Sequence, residues 1–332
     1  MNQTPPQTTD ALTVGETMVM VTPRDGGRLD AESSFALRPG GAESNVAALL
    51  AELGHTTHWA GAVGADRLGD IVIGGLTDHG VDTSLVRRDT ARPTAVYFKD
   101  PTPNGTEVAY YRTGSAATAL STTDLAAWTA LDPRVVHLSG VLPVLSPSCA
   151  DLARHIVFDR PWADAPVSFD VNHRSVLWQR AADGRTDPAE RAAHTLLDLA
   201  QHSDIVFVGR DEAASLWGTT DAESVRALID KPQYLIVKDA AVEAVSFTGT
   251  VTTRVPSRKV HVVDAVGAGD AFAAGWLSGW LHDQQEALCL KLGHYVAAQV
   301  LASASDVAPL PAAPCVIATL EDESAPAHRA RN

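Results

Sequence analysis

The sequence predicts an α/β protein in which helices cover both faces of a mostly parallel central sheet, a three-layer α/β/α fold. Short apolar segments of strand length alternate with longer segments of helical periodicity, which is typical of βα units. The length of 332 residues suffices for one large core. Two early segments, about 16–39 and 94–113, fall outside the alternation, and we expect them to form a small β lid.

The first part of the chain predicts strands that flank two helices. We expect a strand from about Leu12 to Val21 and a shorter one from Ser34 to Leu37. Apolar residues recur every three or four positions in SNVAALLAELG, which indicates a helix, and Gly54 is placed to end it. We expect a strand and turn in HTTHWAGAVG and a second helix in GDIVIGGLTDHG.

A hairpin is the clearest sign of the lid. Two strand-like runs, TAVYFKD and TEVAYYR, flank a turn that contains Asn104-Gly105. Because side chains alternate across a strand, we expect Tyr110 and Arg112 on one face of the second run.

Four later apolar runs predict the core strands of the parallel sheet: RVVHLSG, PVSFDVN, DIVFVGR and YLIVKD. Helical stretches such as AERAAHTLLDLAQH and DAESVRALID separate them. The valines of RKVHVVD predict one more strand, and two helices follow in GDAFAAGWLSGWLH and QQEALCLKLGHYVAAQVLASA.

Composition excludes several classes of protein. A formal net charge of −14 argues against a nucleic-acid-binding face. The three cysteines lie far apart without a CxxC pair, and the histidines lack ligand spacing, so we expect neither disulfides nor a direct metal site. No apolar run is long enough to span a membrane, and the polar N-terminus lacks the layout of a signal peptide, so we expect a cytoplasmic protein.

The ends of the chain are poor in bulky apolar residues. We therefore expect disordered tails at residues 1–10 and 319–332 and a single folded domain at 11–312.

The most informative stretch is DAVGAGDAFAAG, residues 264–275. Its glycines lie between a predicted strand and a predicted helix. The first N–H groups of a helix lack intrahelical partners, and the helix dipole places partial positive charge there. Since glycines let the backbone approach a ligand closely, Gly267, Ala268 and Gly269 predict an anion site.

This loop differs from two common nucleotide-binding motifs. Phe272 stands where a dinucleotide fingerprint has its third glycine, and the chain contains no GxxxxGK[ST]. Asp270 beside an anion site makes chemical sense as a base that takes a proton from a hydroxyl attacking phosphorus. It is equally compatible with a helix N-cap, so from the loop alone both interpretations stay open.

Three segments carry a resemblance to a known family. GAGDAFAAG resembles the second signature of the ribokinase-like (PfkB) carbohydrate kinases, PGGAESNVAALLAELG (39–54) resembles the first, and residues 61–86 resemble the block that follows it. The likeness runs from about Leu12 to Pro311. It implies a ribokinase-like fold, with ATP at the strand ends in the C-terminal half of the sheet and Mg²⁺ bridging the ATP phosphates.

Within the family, GGAESN, EVAYYRTGSAA and FDVNHRSVLW are similar to the branch that phosphorylates 2-keto-3-deoxygluconate. The resemblance implies Asp270 as base and Gly267, Ala268 and Gly269 as phosphate donors. It implies nucleotide contacts at Asn172, Glu212 and Lys238, and a sugar site at Gly40, Gly41, Asn45, Tyr97, Tyr110, Arg112, Arg174 and Asp306. For Asp306 a turn or cap role stays open.

The expected reaction is therefore ATP-dependent phosphorylation of the terminal hydroxyl of a sugar acid, because paired arginines suit a carboxylate. Two alternatives stay open: a kinase for a neutral sugar such as fructose or ribose, and a sugar-binding regulator that has lost activity. The expected partners are the sugar acid and ATP, with no nucleic acid or membrane, and a second copy of the chain in a homo-oligomer.

Departures from the family pattern motivate the second alternative and leave the choice of nucleotide open. The usual Asn-x-x-Glu element keeps Glu212 but has Gly209 in place of Asn. Ala240 and Glu243 replace glycines of a second element, and Ala265 replaces a threonine before the glycine loop.

Overall fold

The described residues form three sheets, one of them only the short pair β5-β6, and twelve α-helices. The computed structural model describes residues 7–102, 105–181 and 186–323. The strands are β1 Gln7–Val14, β2 Met18–Pro23, β3 Phe35–Gly40, β4 Thr57–Ala60, β5 Ala62–Gly64, β6 Arg87–Asp89, β7 Val96–Thr102, β8 Gly105–Tyr111, β9 Leu131–Ser139, β10 Val167–Asp170, β11 Ile205–Gly209, β12 Tyr234–Asp239, β13 Glu243–Thr248 and β14 Val251–Pro256. The helices are α1 Ala42–Glu52, α2 Arg67–Asp78, α3 Leu125–Trp128, α4 Leu142–Leu145, α5 Pro147–Arg154, α6 Ser175–Arg180, α7 Pro188–His202, α8 Arg210–Trp217, α9 Ala222–Leu228, α10 Ala268–Leu281, α11 Glu286–Leu301 and α12 Ala313–Asp322.

The central sheet has eight strands in the order β14-β13-β12-β11-β10-β9-β1-β4. Neighbours from β12 to β4 run parallel, and β13 and β14 add an antiparallel hairpin at one edge. The mostly parallel sheet predicted from the sequence is confirmed.

Helices cover both faces of this sheet because its strands are apolar on both sides. In β11, Val206 and Val208 pack into the core beneath α5, α7 and α9, whereas Ile205 and Phe207 face α1, α10, α11 and α12. The predicted three-layer arrangement follows from this alternation. In the described ranges, no helix is long and apolar enough to cross a membrane.

A separate four-stranded sheet, the lid sheet, has the order β3-β2-β7-β8. Val19 and Val21 of β2 pack one of its faces against α2. Met18, Met20 and Tyr97 lie together on the other face, with Tyr110 packed against them. The hairpin predicted between β7 and β8 is present, although Pro103 and Asn104 of its turn lie outside the described residues.

The predicted boundaries at both ends are wrong where the structure describes them. Residues 7–10 belong to β1, in which Thr9 is buried, and the single strand expected from Leu12 to Val21 is two strands broken at 15–17. Residues 319–322 belong to α12, which buries Val316 and Leu320 in the core. Residues 1–6 and 324–332 lie outside the described part of the chain.

The strand predicted in RKVHVVD is also wrong. Residues 258–264 run as irregular backbone, and Val262 and Val263 are 52% and 56% exposed. The sheet ends instead with β13 and β14, a hairpin that the sequence analysis did not predict. The glycine loop therefore connects an irregular segment, not a strand, to α10.

Candidate active site

The glycine loop leads directly into helix α10, which is the arrangement that an anion site at a helix N-terminus requires. Gly267 is the N-cap residue, with φ of +84°, a conformation that favours glycine. A Cβ on Gly267 would lie 3.2 Å from the Cα of Asp306, so the loop also packs too closely for a side chain. Ala268 and Gly269 form the first turn of α10, where backbone N–H groups and the helix dipole favour an anion.

Asp270 is not the N-cap of α10, so the capping interpretation of this residue is wrong. The residue is 8% exposed, and its carboxylate accepts hydrogen bonds from two amides. Asn45 Nδ2 donates to Oδ2 at 2.9 Å, and Asn172 Nδ2 donates to Oδ1 at 3.4 Å. Burial raises the pKa of Asp270 to about 7, against the opposing effect of the Asn45 hydrogen bond. A carboxyl with this pKa is well matched to proton abstraction near neutral pH.

The glycine pair before α1 lets the lid sheet approach the helix that carries Asn45. A Cβ on Gly40 would lie 2.2 Å from Tyr97 Oη, and one on Gly41 would lie 2.2 Å from the Glu16 carbonyl oxygen. A Cβ at Gly41 would meet backbone atoms, and one at Gly40 would require the Tyr97 ring to move. The pair therefore brings the lid beside the first turn of α1 and so beside Asp270.

One cavity brings together the predicted sugar-site residues. Its lining includes Gly40, Gly41, Asn45, Tyr97, Tyr110, Arg112, Arg174, Gly267, Asp270 and Asp306. The lid sheet supplies the two tyrosines. The exposed Arg174 is the N-cap residue of α6. The chain thus places two arginines around the cavity that contains the buried carboxyl of Asp270.

Arg112 is held by residues of the lid. Its guanidinium lies 4.7 Å from the centre of the Tyr110 ring, and Nη1 lies 3.3 Å from Glu16 Oε2. The Arg112 side chain is 10% exposed, and its Nε and Nη1 have no hydrogen-bond partner among the described residues. A buried guanidinium with N–H groups still to satisfy is suited to binding an oxygen-rich ligand.

Glu16 is a site residue that the sequence analysis missed. It is 2% exposed and lines the same cavity. Burial raises the pKa of Glu16, and the neighbouring Arg112 opposes that rise. Its position in an apolar run gave no signal, since only the fold brings it to Arg112.

Asp306 lines the cavity but bonds to the lid. Its Oδ2 accepts a hydrogen bond from Tyr97 Oη at 3.1 Å, and its Oδ1 lies 2.6 Å from Lys99 Nζ. Lys99 is a second residue that the sequence analysis missed, and it is 1% exposed. Asp306 thus lines the candidate sugar cavity and also anchors β7.

A second cavity of about 620 Å³ adjoins the other side of Gly269, a volume within the usual range for ligand sites. Glu212, Lys238 and Ala265 line it. Lys238 Nζ contacts Asp170 Oδ2 at 2.8 Å, and a Cβ on Gly269 would lie 3.5 Å from the same nitrogen. This cavity and the candidate sugar cavity therefore meet at the glycine loop.

Two of the predicted nucleotide-binding residues, Glu212 and Asn172, lie in different parts of the site. Glu212 accepts from the backbone N–H of Gly209 at 3.0 Å and from that of His173, which fixes its carboxylate. Burial and the nearby Asp170 raise the pKa of Glu212. Asn172 donates a hydrogen bond to Asp270 and does not line this cavity, so the structure places it beside the Asp270 carboxyl.

The structure shows the surroundings of Ala240 and Glu243, which replace two glycines of the family pattern. Glu243 lines the larger cavity, and its Oε1 pairs with Arg254 Nη1 at 2.6 Å across the β13–β14 hairpin. Its charge is thus partly neutralised. Ala240 takes the place of a glycine at φ of +38°, a strained conformation for an L-residue.

A buried carboxyl with a raised pKa, a glycine-rich helix start suited to an anion and two adjoining cavities are the arrangement expected of a phosphotransferase that acts on a small hydroxyl compound. The model of the pfkB family carbohydrate kinases matches residues 8–313. The chain belongs to this family, and it is a carbohydrate kinase.

Individual relatives agree with the family. A 2-dehydro-3-deoxygluconokinase of Bacillus subtilis is 33% identical over 313 residues, which cover 91% of this chain and 92% of that protein. The crystal structure of a PfkB protein from Polaromonas sp. JS666 superposes with a TM-score of 0.81 at 30% identity, covering 93% of this chain and 99% of that one. A fructokinase from Xylella fastidiosa with bound ATP shares the fold, with a TM-score of 0.77 at 24% identity, covering 96% and 99%.

Proposed function

We propose that this carbohydrate kinase transfers the γ-phosphoryl group of ATP to the terminal hydroxyl of 2-keto-3-deoxygluconate and forms the 6-phosphate. The observation that carries the proposal is the pair Arg112 and Arg174 on a cavity that also holds Asp270. Guanidinium groups pair with carboxylates in bidentate fashion, so they suit the carboxylate of a sugar acid. The name of the Bacillus subtilis relative supports the same substrate.

In the proposed mechanism, Asp270 takes the proton of the attacking hydroxyl. Asn45 and Asn172 orient its carboxylate through their amide donors. The N–H groups at Gly267, Ala268 and Gly269 stabilise the charge that develops on the transferred group. The tyrosines and apolar side chains of the lid sheet limit the access of water to the hydroxyl.

The nucleotide is proposed to occupy the larger cavity, with Lys238 and Glu212 near its phosphates. Mg²⁺, when bound with the nucleotide, would supply positive charge that neutralises the phosphates. The carboxylates of Asp170 and Glu212 would suit a cation nearby, because burial and then the charge of Asp170 raise the pKa of Glu212, a rise that Lys238 and two backbone hydrogen bonds oppose. No group of three His, Cys, Asp or Glu residues suited to a metal occurs in the described ranges.

A neutral keto-sugar is the second candidate substrate, and one observation favours it. Glu16 already lies 3.3 Å from Arg112, so part of the positive charge of the site is balanced without a ligand. The third possibility, a regulator without activity, loses support because Glu243 is paired with Arg254 instead of facing the cavity as an unpaired charge. A homo-oligomer stays a prediction from the sequence.

A coupled assay of ADP release tests the proposal with ATP and Mg²⁺ against 2-keto-3-deoxygluconate, fructose, ribose and no sugar. We expect selective turnover of the acid. Arg112→Ala should lower kcat/KM for the acid by about 10- to 100-fold more than for any neutral sugar, since a charge-assisted pair contributes about 1.5–3 kcal/mol.

The exposed Arg67→Ala is the matched control and should leave both values unchanged. If fructose alone were turned over, the substrate would be a neutral sugar and not the proposed acid. Equal losses on acid and neutral sugars in Arg112→Ala would mean that Arg112 does not bind a carboxylate.

A further inference from the structure

A fully buried lysine connects the lid sheet to the glycine loop. Lys99 lies on β7 and is 1% exposed. Its Nζ contacts Asp264 Oδ2 at 2.8 Å and Asp306 Oδ1 at 2.6 Å. Burial alone would lower the pKa of Lys99, but the two carboxylates raise it above its ordinary value, so the amine stays charged. An ammonium group is buried at this depth only when carboxylates pair with it.

The first contact leads to the loop that begins α10. Asp264 Oδ1 accepts a hydrogen bond from the backbone N–H of Val266 at 3.1 Å. Val266 directly precedes Gly267, whose left-handed conformation turns the chain into the helix. Thr106 Oγ1 of β8 lies 3.3 Å from the same oxygen. Residues on two lid strands thus hold the carboxylate that fixes the start of the glycine loop.

The second contact leads to the wall of the sugar cavity. The other oxygen of Asp306 accepts from Tyr97 Oη, which stands over Gly40. Gly267 packs against the Asp306 backbone, since a Cβ there would lie 3.2 Å from the Asp306 Cα. One ammonium therefore joins three parts of the site: strand β7, the cavity wall and the glycine loop.

We propose that Lys99 is a positioning residue for phosphoryl transfer, which sets the N–H groups of Gly267–Gly269 by tying the glycine loop to the lid sheet. The proposal rests on the assignment of that loop to the transferred phosphoryl group under the proposed function. Lys99 lines neither the candidate sugar cavity nor the larger cavity. It acts through Asp264, and it also balances two carboxylates that would otherwise repel the phosphates of the nucleotide.

If the ion bridge of Lys99 had only a structural role, we would expect a different result. Its loss would lower the melting temperature of the protein but leave turnover per folded molecule unchanged. A positioning residue also changes turnover, because a displacement of about 1 Å in a catalytic group can lower a rate by about 10²-fold.

Lys99→Met, Lys99→Arg and Asp264→Asn test the proposal. For each variant, kcat is measured on the sugar that the wild type phosphorylates best, and sugar affinity is measured by calorimetry without nucleotide. We expect Lys99→Met to lower kcat by about 10²-fold. Lys99→Arg should keep most of the activity, because it preserves the charge between the two carboxylates.

Asp264→Asn decides the question if Lys99→Met does not fold, because it leaves Lys99 paired with Asp306. We expect it to lower kcat by at least about tenfold, since the loop anchor loses its charge-assisted bond, with sugar affinity changed less than about threefold. Lys231→Met, at an exposed lysine, is the matched control and should behave as the wild type.

Wild-type kcat in both Lys99→Met and Asp264→Asn, with only a lower melting temperature, would overturn the proposal. Turnover of the wild type is measured first, and its absence with every sugar would refute the proposed function on its own. In that case the affinity for a non-hydrolysable ATP analogue replaces kcat as the readout: weaker binding in Asp264→Asn supports the role of Lys99, and equal binding overturns it.

Discussion

Asp270→Asn separates the chemical role of this carboxyl from its effect on stability. The amide has nearly the same shape, so the packing at the start of α10 is kept, but it cannot accept a proton. We expect turnover to fall by about 10²- to 10⁴-fold, the usual contribution of a general base, while sugar binding stays nearly intact.

The same substitution should stabilise the folded protein at high pH. Burial raises the pKa of Asp270 from 3.8 to about 7, so the folded state binds this proton more tightly than the unfolded state does. Stability contributed by this group is therefore full below about pH 4 and is lost as the pH rises to about 7. At about 1.36 kcal/mol for each pKa unit, ionising the buried carboxyl costs the wild type about 4 kcal/mol above pH 7.

The asparagine variant does not carry this cost. Because the amide can accept from only one of Asn45 and Asn172 in the present arrangement, it loses a hydrogen bond at every pH. The cost of ionising Asp270 still separates the two proteins as the pH rises. The stability of the variant relative to the wild type should therefore grow by about 3 kcal/mol between pH 4.5 and pH 8. With about 2.1 cal/mol/K of unfolding entropy per residue over 332 residues, that change is about 4 °C in Tm.

Thermal unfolding of wild type and variant at both pH values, without ligands, measures this difference. Asp132→Asn, at an exposed aspartate on β9, is the control and should show no such change. A difference in Tm that is the same at pH 4.5 and pH 8 would refute the raised pKa of Asp270. Undiminished turnover would remove Asp270 as the base.

Two further substitutions test backbone geometry at the two cavities. Ala240→Gly relieves a left-handed φ of +38°, so we expect a gain of about 1 kcal/mol in scanning calorimetry with kcat unchanged; a loss of stability would contradict the strain. Gly40→Ala places a Cβ 2.2 Å from Tyr97 Oη, and we expect the KM for the sugar to rise at least about tenfold. Gly74→Ala, where the space is open, should leave KM unchanged, and equal KM values in the two variants would show that Tyr97 yields easily.

The parallel core was predictable because its strands are apolar on both faces. In DIVFVGR every second residue faces a different helical layer, and a run of that kind has few alternatives. The edge hairpin was not predictable in the same way. β14 carries Thr252, Thr253 and Arg254 and is half-exposed, so its pattern is weak. The valines of RKVHVVD look more like a strand, but the backbone at 258–264 follows an irregular path.

The site was predictable where short motifs carry it and hidden where distant charges meet. Asp270, Asn45 and the glycines lie in contiguous segments that resemble family signatures, and this resemblance is what implied their roles. Lys99 bonds to residues 165 and 207 positions away, and a lysine in a strand is ordinarily expected at the surface. No local pattern distinguishes a buried charge from an exposed one, so such pairs emerge only from the fold.

The lid sheet also bears on the order in which the chain folds. Its two hairpins come from separate segments, and they meet where Val19 of β2 pairs with Val96 of β7. Closing the long loop between β2 and β7 costs conformational entropy. Only contacts that have already formed can offset this cost, and the apolar surface of α2 provides such contacts for the lid sheet. The lid sheet, and with it the lid side of the pocket, should therefore form after the central sheet during synthesis or refolding. Backbone amides of the lid sheet should exchange with deuterium sooner than those of the central sheet in the native state.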